Sequence, residues 1–326
     1  MTPSLTLPKA SIDFEKNVWA DYVEIICLTN PDGEISLSDI LTIASEDTLE
    51  CPERGLDETG EQEDAFYQKF LDTFKYLENR AYMLNDAYPF SFADGDTISI
   101  DFECLSAKQA FYLFLLYCSN LSRFSKPDQQ RLTREFEVVS KYILQQIFPS
   151  FHIEIFGTAS SQEDLFYGGK LIERFERLAH CLHTEVKTAT RENPRYNQAS
   201  GDGGLDLIGF TQIDNTGSEV PFIPSCFAQC ACSVDKWKEK QSSIKFDEWN
   251  QRFNQITHYC EFIFVPFSLR GPDGKWSNTE ADRIVVIPID RVRFLHIIQS
   301  NEGNLAFLEH SDAYRIIQES ISCFVQ

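Results

Sequence analysis

The stretch GDGGLDLIGF, residues 201–210, places one aspartate, Asp206, inside a short apolar run. Three glycines stand just before it, and glycine permits backbone torsions and close approaches that other residues forbid. The apolar residues on both sides of Asp206 predict a buried strand. We therefore expect the Asp206 carboxylate to be held on rigid structure. Gly203 and Gly204 would leave room beside it for a divalent cation and a substrate phosphate.

A second strand is predicted in the following stretch, SCFAQCACSVDKWKEK, residues 225–240. It carries a single amide, Gln229, in an apolar context. A side-chain amide and the backbone carbonyl next to it can each give an oxygen ligand to Mg²⁺. Two neighbouring strands joined by a turn would bring Asp206 and Gln229 into one coordination sphere.

These two stretches resemble the PD-(D/E)xK nuclease superfamily, which has the restriction-endonuclease-like fold. Its pattern is an acidic residue on one strand, then Glu or Gln, any residue and Lys on the adjacent strand, often with a Glu from a preceding helix. The resemblance implies an α+β or α/β core in which helices flank a central mixed sheet. It also implies that Asp206 and Gln229 bind Mg²⁺ or Mn²⁺, with Glu173 or Glu176 of the preceding helix completing the site.

The sequence departs from the family pattern at one position. Ala231 stands two residues after Gln229, where the family has the lysine that orients the attacking water and offsets phosphate charge. A lysine from an adjoining loop or helix can reach the same point, and SVDKWKEK follows at once. We expect Lys236 or Lys240 to take the catalytic role, and the spacing does not choose between them.

Two regions are predicted along the chain. Residues 1–150 contain amphipathic and apolar helical patterns, including a run over 109–118 that is apolar nearly all round and predicts a buried helix. From residue 151 the pattern becomes helix, strand, strand, helix, strand, strand, which predicts an α/β domain around one sheet. We expect an accessory region over 1–150 and the nuclease domain over 151–326.

Charge is distributed unevenly between these regions. The 326 residues carry a net charge of −21; residues 1–110 hold 7 Lys and Arg against 23 Asp and Glu, and the remainder holds 22 against 27. Nucleic acid repels an acidic protein unless a local basic surface or bound cations offset the field. We therefore expect the acidic amino-terminal region to contact a protein partner, with an ATPase or helicase subunit as a candidate.

The first residues lack the positive start and apolar core of a secretory signal, and no window has the run of apolar residues that a membrane span requires. We expect a cytoplasmic protein with no membrane partner. The resemblance implies a Mg²⁺-dependent endonuclease that cleaves DNA, with RNA as the alternative substrate, in prokaryotic restriction or antiphage defence. Two other functions stay open: a catalytically inactive, protein-binding subunit with the nuclease fold, and an acidic DNA mimic that inhibits a nucleic-acid enzyme.

Overall fold

The computed structural model describes residues 1–4, 15–49, 59–157, 159–199, 201–213, 222–271, 273–276, 283–300 and 302–324. The chain divides into two compact units. The first unit comprises residues 1–129, 267–282 and 298–326, and the second comprises residues 130–266 and 283–297.

The described residues contain thirteen α-helices and eight β-strands. In order they are α1 (Glu15–Thr29), β1 (Glu34–Ser36), α2 (Leu37–Leu49), α3 (Thr59–Leu84), β2 (Phe90–Ala93), β3 (Thr97–Ile100), α4 (Ala107–Ser119), α5 (Lys126–Ile147), β4 (His152–Ile155), α6 (Leu171–Cys181), α7 (Thr188–Arg191), α8 (Pro194–Gln198), β5 (Leu207–Phe210), β6 (Ser225–Cys230), α9 (Trp237–Lys240), α10 (Phe246–Asn250), β7 (Cys260–Phe264), β8 (Ile287–Ile289), α11 (Arg291–Gln299), α12 (Glu302–His310) and α13 (Asp312–Phe324).

The first unit is mainly helical and contains a small antiparallel sheet in the order β1-β3-β2. Helix α4 begins at a capping box, in which Ser106 and Gln109 each bond the other's backbone N–H. All residues from 110 to 118 are buried, which confirms the predicted buried helix. Within the described ranges, no helix combines the length and apolar character that crossing a membrane requires.

A buried ionic network lies inside the first unit. Arg80 Nη1 donates to Asp21 Oδ1 at 2.8 Å and to Glu24 Oε1 at 2.9 Å. The hydroxyls of Tyr88 and Tyr112 also donate to Glu24 Oε1, each at 2.8 Å. These charges are buried, and each carboxylate has both a cation and neutral donors.

The second unit is built on a five-stranded mixed sheet in the order β4-β5-β6-β7-β8. The pairs β4–β5 and β5–β6 are antiparallel, and the pairs β6–β7 and β7–β8 are parallel. Phe136 of α5 and Phe264 of β7 both pack against Phe294 of α11, with ring centroids 5.5 and 5.6 Å apart. Helix α5 therefore lies against the sheet as part of this unit's core.

The fold is mixed α and β, as expected at that level. The division into units differs from the expected boundary at residue 150, because α5 belongs to the sheet unit from residue 130 onward. The last two helices return to the first unit, where α13 packs on α4. The expected boundary follows a change in the sequence pattern, and that change does not show that the carboxyl-terminal helices belong to the first unit.

Candidate active site

A glycine turn leads into Asp206. Gly203 and Gly204 have φ values of 66° and 86°, in the left-handed region that favours glycine. A Cβ on Gly204 would lie 2.6 Å from Ser243 Cβ, so a side chain there would collide. Asp202 Oδ1 accepts from Gly204 N at 2.8 Å and closes the turn. The conformation and close packing account for these glycines, and their expected contact with substrate stays a prediction.

Asp206 lies between β4 and β6 at the beginning of β5. Its backbone N–H donates to Ala228 O at 3.0 Å, and its carbonyl accepts from the N–H groups of Phe156 and Gly157 at 2.7 and 3.1 Å. The side chain is only 4% exposed. Neighbouring strands on both sides therefore fix the position of this carboxylate.

Gln229 of β6 lies directly beside Asp206, as the sequence predicted. Its Nε2 donates to Asp206 Oδ2 at 2.5 Å, and the backbone N–H of Cys230 donates to the same oxygen at 2.7 Å. Gln229 Oε1 accepts from Ser243 Oγ at 3.2 Å. Gln229 could present Oε1 to an ion beside Asp206 only if its side-chain amide rotated by about 180°.

The structure brings a second carboxylate to this point, from a residue that the sequence did not single out. Glu137 of α5 is 6% exposed, and its Oε2 is buried with no hydrogen-bond partner among the described residues. A Cβ added to Gly157 would lie 3.0 Å from Glu137 Oε2 and 3.1 Å from Asp206 Oδ1. The two carboxylates therefore line the same space, next to a residue with no side chain.

Burial makes both carboxylates resist ionisation. Desolvation and then the Asp206 charge raise the pKa of Glu137 from 4.5 to about 9. Desolvation and then Asp202 raise the pKa of Asp206 from 3.8 to about 7, although Lys240 and the Cys230 N–H oppose that shift. A cation that contacted both groups would favour their ionised forms. The pair is thus suited to bind a positive charge.

Lys240, at the end of α9, is the lysine that reaches this site. Its Nζ donates to the backbone carbonyl of Cys230 at 2.8 Å. Lys236 begins the same short helix, and its side chain is exposed. Ala231 is buried and continues the sheet by donating to Phe264 O at 2.9 Å. The geometry therefore selects Lys240 from the two candidates.

Glu173 and Glu176 are not brought to Asp206, which corrects the expected helix ligand. Glu173 Oε2 accepts from the backbone N–H of Lys170 at 3.2 Å and caps α6. Glu176 forms a partly exposed ion pair with Arg191 at 2.6 Å. Both lie off the apolar stripe of α6, whose buried residues face the core. The helix carboxylate at the site comes from α5 instead.

One signal in the sequence points to Glu137. It occupies the helical face shared by Ser140 and Leu144, three and seven residues later, and both of these are buried. An acidic residue on a buried helical face is costly without a partner. Glu137 lies within residues 1–150, for which the sequence predicts an accessory region.

The donor set fits a hard divalent cation. Carboxylates of Glu137 and Asp206, the amide oxygen of Gln229 and the carbonyl of Cys230 are all oxygen donors, the type that Mg²⁺ and Mn²⁺ prefer. No three His, Cys, Asp or Glu side chains of the described residues are grouped as a metal site. The set therefore depends on two carboxylates supplemented by neutral oxygens.

Comparison of the chain with protein-family models, with curated proteins and with solved structures found no match. Any function assigned to this site therefore rests on the geometry of the second unit.

Proposed function

We propose that this protein is a Mg²⁺- or Mn²⁺-dependent nuclease that hydrolyses phosphodiester bonds of DNA. The observation that carries the proposal is the convergence of Glu137 Oε2 and Asp206 Oδ1 on the space beside Gly157, with both side chains buried. Buried carboxylates that lack an ion-pair partner are costly. A bound divalent cation would offset that cost and serve catalysis.

The order of elements in the second unit supports the restriction-endonuclease-like core as part of this proposal. Helix α5 carries Glu137 and precedes three antiparallel strands, of which β5 follows Asp206 and β6 carries Gln229. Strand β7 then pairs with β6 in parallel. The presence of an acid, an amide and a helix Glu on these elements supports the proposal of a PD-(D/E)xK-like site.

Each residue has a distinct role in the proposed reaction. Glu137, Asp206, the Gln229 amide oxygen and the Cys230 carbonyl would hold the ion, which polarises the scissile phosphate and lowers the pKa of a water. Lys240 would position the attacking water or stabilise charge on the phosphate in the transition state. Lys240 thus replaces the lysine that is missing at Ala231.

The charges of the two units support a protein partner. The first unit holds 12 Lys and Arg against 31 Asp and Glu, a net charge of −19, whereas the second holds 17 against 19, a net charge of −2. DNA repels the first unit much more strongly than the second. We propose that the first unit binds a basic surface of a partner, such as an ATPase or helicase subunit in antiphage defence.

Two observations favour rival functions. Ala231 at the lysine position favours an inactive, protein-binding subunit, although the Lys240 ammonium contacts the backbone carbonyl of the preceding residue, Cys230. The charge of −19 on the first unit favours a DNA mimic. Metal-dependent cleavage separates the proposal from both rivals.

The test is incubation of the purified protein with plasmid DNA in Mg²⁺ or Mn²⁺. We expect the wild type and the exposed control Glu176→Gln to cut, and Asp206→Asn to be inactive while retaining its thermal unfolding transition. A parallel assay with RNA decides the substrate. Equal cutting by Asp206→Asn and the wild type, or no cutting by any form with and without candidate partners, would overturn the proposal.

A further inference from the structure

Two arginines of α6, Arg174 and Arg177, lie close to the candidate active site and share one helical side, being three residues apart. Arg174 Nη1 donates to Phe156 O at 3.2 Å and to Gly201 O at 3.3 Å. Phe156 precedes Gly157, and Gly201 begins the turn that leads to Asp206. The Arg174 guanidinium is therefore attached to both segments that form the carboxylate site.

Both guanidiniums converge on the loop before α6. Arg174 Nε and Arg177 Nη2 donate to the same carbonyl, Gly168 O, at 3.3 and 2.9 Å. Arg177 Nη1 donates to Tyr167 O at 3.1 Å. Two like charges thus share one neutral acceptor.

No carboxylate of the described residues forms an ion pair with this arginine pair. Among the described residues, neither arginine forms an ion pair, and all their hydrogen bonds go to backbone carbonyls. Arg174 is 5% exposed, and Arg177 Nε is buried with no hydrogen-bond partner in the described part of the chain. Burial and then the Arg177 charge lower the pKa of Arg174, and the Asp202 charge opposes this shift.

The nearby acidic groups already serve the backbone. Glu173 Oε2 accepts from Lys170 N at 3.2 Å, and Asp202 Oδ1 accepts from Gly204 N at 2.8 Å. The loop is open beside the arginines, because a Cβ on Gly168 would meet nothing within 4 Å. Tyr167 is 45% exposed and gives an aromatic face on which a base can stack.

We infer that Arg174 and Arg177, with the Leu165–Gly169 loop, form a phosphate subsite that holds the substrate strand next to the scissile bond. Guanidinium groups bind phosphate oxygens through paired N–H donors, and each has five N–H donors to share. This inference rests on the proposed function for its substrate, a nucleic-acid strand. The phosphate is either a backbone phosphate or the terminal phosphate of a strand end.

The test measures binding without cleavage. Short single-stranded DNA with a 3′ fluorophore, carrying either a 5′-phosphate or a 5′-hydroxyl, is titrated with protein in EDTA at several salt concentrations. Arg177→Gln is compared with Arg191→Gln, which makes the same charge change at a partly exposed ion pair on α7. Arg177→Lys keeps the charge and loses the paired donors. Thermal unfolding of each variant reports its folding.

We expect Arg177→Gln to weaken binding by about tenfold and to lower the salt slope by about one, with partial recovery in Arg177→Lys and little change in Arg191→Gln. If Arg177→Gln loses affinity for both strands, the subsite binds a backbone phosphate. If it loses affinity only for the 5′-phosphorylated strand, and inorganic phosphate competes with that strand, the subsite binds the phosphate of a strand end. Equal binding by wild type and Arg177→Gln, or no binding by the wild type, would overturn the inference. Because EDTA removes metal-dependent cleavage, failure of the nuclease proposal is a separate result.

Discussion

Each unit contains two neighbouring buried acidic side chains, and these two pairs differ in what surrounds them. In the first unit, Arg80 Nη1 lies 2.8 Å from Asp21 Oδ1 and 2.9 Å from Glu24 Oε1. In the second unit, Glu137 Oε2 has no hydrogen-bond partner among the described residues, and neither Glu137 nor Asp206 forms an ion pair there. Among the described residues, only the first pair has a cation in direct ion-pair contact.

Under the proposed function, this difference separates a structural cluster from a functional one. A buried carboxylate with a cation and hydroxyl donors is satisfied, and its network stabilises one packing arrangement. A buried carboxylate with an unpaired oxygen and a raised pKa is typical of a site that binds a ligand or performs chemistry. The contrast supports the proposal that the second unit carries the active site.

The largest expected effect is on catalysis at Glu137. Glu137→Gln removes the second carboxylate of the site, and we expect metal-dependent cleavage to fall by on the order of 10³-fold. Glu173→Gln is the matched control, since that residue caps α6, and its rate should match the wild type. The comparison fails if Glu173→Gln loses activity and Glu137→Gln keeps it.

Removal of Arg80 should expose the dependence of the first pair on its cation. Arg80→Met leaves Asp21 and Glu24 buried without their ion pair, and we expect a loss of about 3–5 kcal/mol in the free energy of unfolding. Arg315→Met breaks an exposed pair with Asp312 in the same unit and should cost less than about 1 kcal/mol. Urea denaturation measures both variants. A small loss for Arg80→Met would mean that the network is not needed for stability.

Substitution of Lys240 tests the replacement of the missing lysine. Lys240→Met should lower the cleavage rate by about 10²-fold, because the variant lacks the ammonium that would position the attacking water or stabilise charge on the phosphate. Lys236→Met, at the exposed start of α9, should cleave normally. Single-turnover rates of both variants and the wild type are measured with saturating metal. Normal activity in Lys240→Met would remove this lysine from the mechanism.

A further expected effect is a dependence of stability on pH. The folded pKa values of Glu137 and Asp206 are raised from 4.5 to about 9 and from 3.8 to about 7. Their protonated forms therefore stabilise the metal-free protein fully below the unfolded values, and this contribution is lost as pH rises through the folded values. Between pH 5 and pH 9, Tm in EDTA should fall more for the wild type than for Glu137→Gln. Parallel curves of Tm against pH for the two proteins would contradict a raised pKa of Glu137.

Part of the site can be predicted from the sequence because its residues lie close together along the chain. Asp206 and Gln229 lie on successive strands, so a glycine turn and two apolar runs are enough to place them together. Glu137 lies on a helix about seventy residues before Asp206, and only packing of α5 against the sheet brings it there. Selecting Lys240 over Lys236 depends on where the short helix α9 ends.

The fold was predictable to a similar extent. The alternation of helix and strand after residue 151 predicts one sheet, and the apolar run over 109–118 predicts a buried helix. The return of residues 298–326 to the first unit depends on long-range packing, for which neither charge nor periodicity gives a signal. Local patterns thus fix elements, whereas unit membership depends on tertiary contacts.

The most direct test of the central claim is a calorimetric titration of Mn²⁺ and Mg²⁺ into the wild type and Gly157→Ala. The added methyl group would lie 3.0 Å from Glu137 Oε2 and 3.1 Å from Asp206 Oδ1, so it fills the space between the donors and changes no charge. Gly201→Ala is the control, since a Cβ there meets nothing within 4 Å. We predict binding by the wild type and Gly201→Ala, and none by Gly157→Ala. Equal binding by all three proteins, or no binding by the wild type, would contradict a metal site at Glu137 and Asp206.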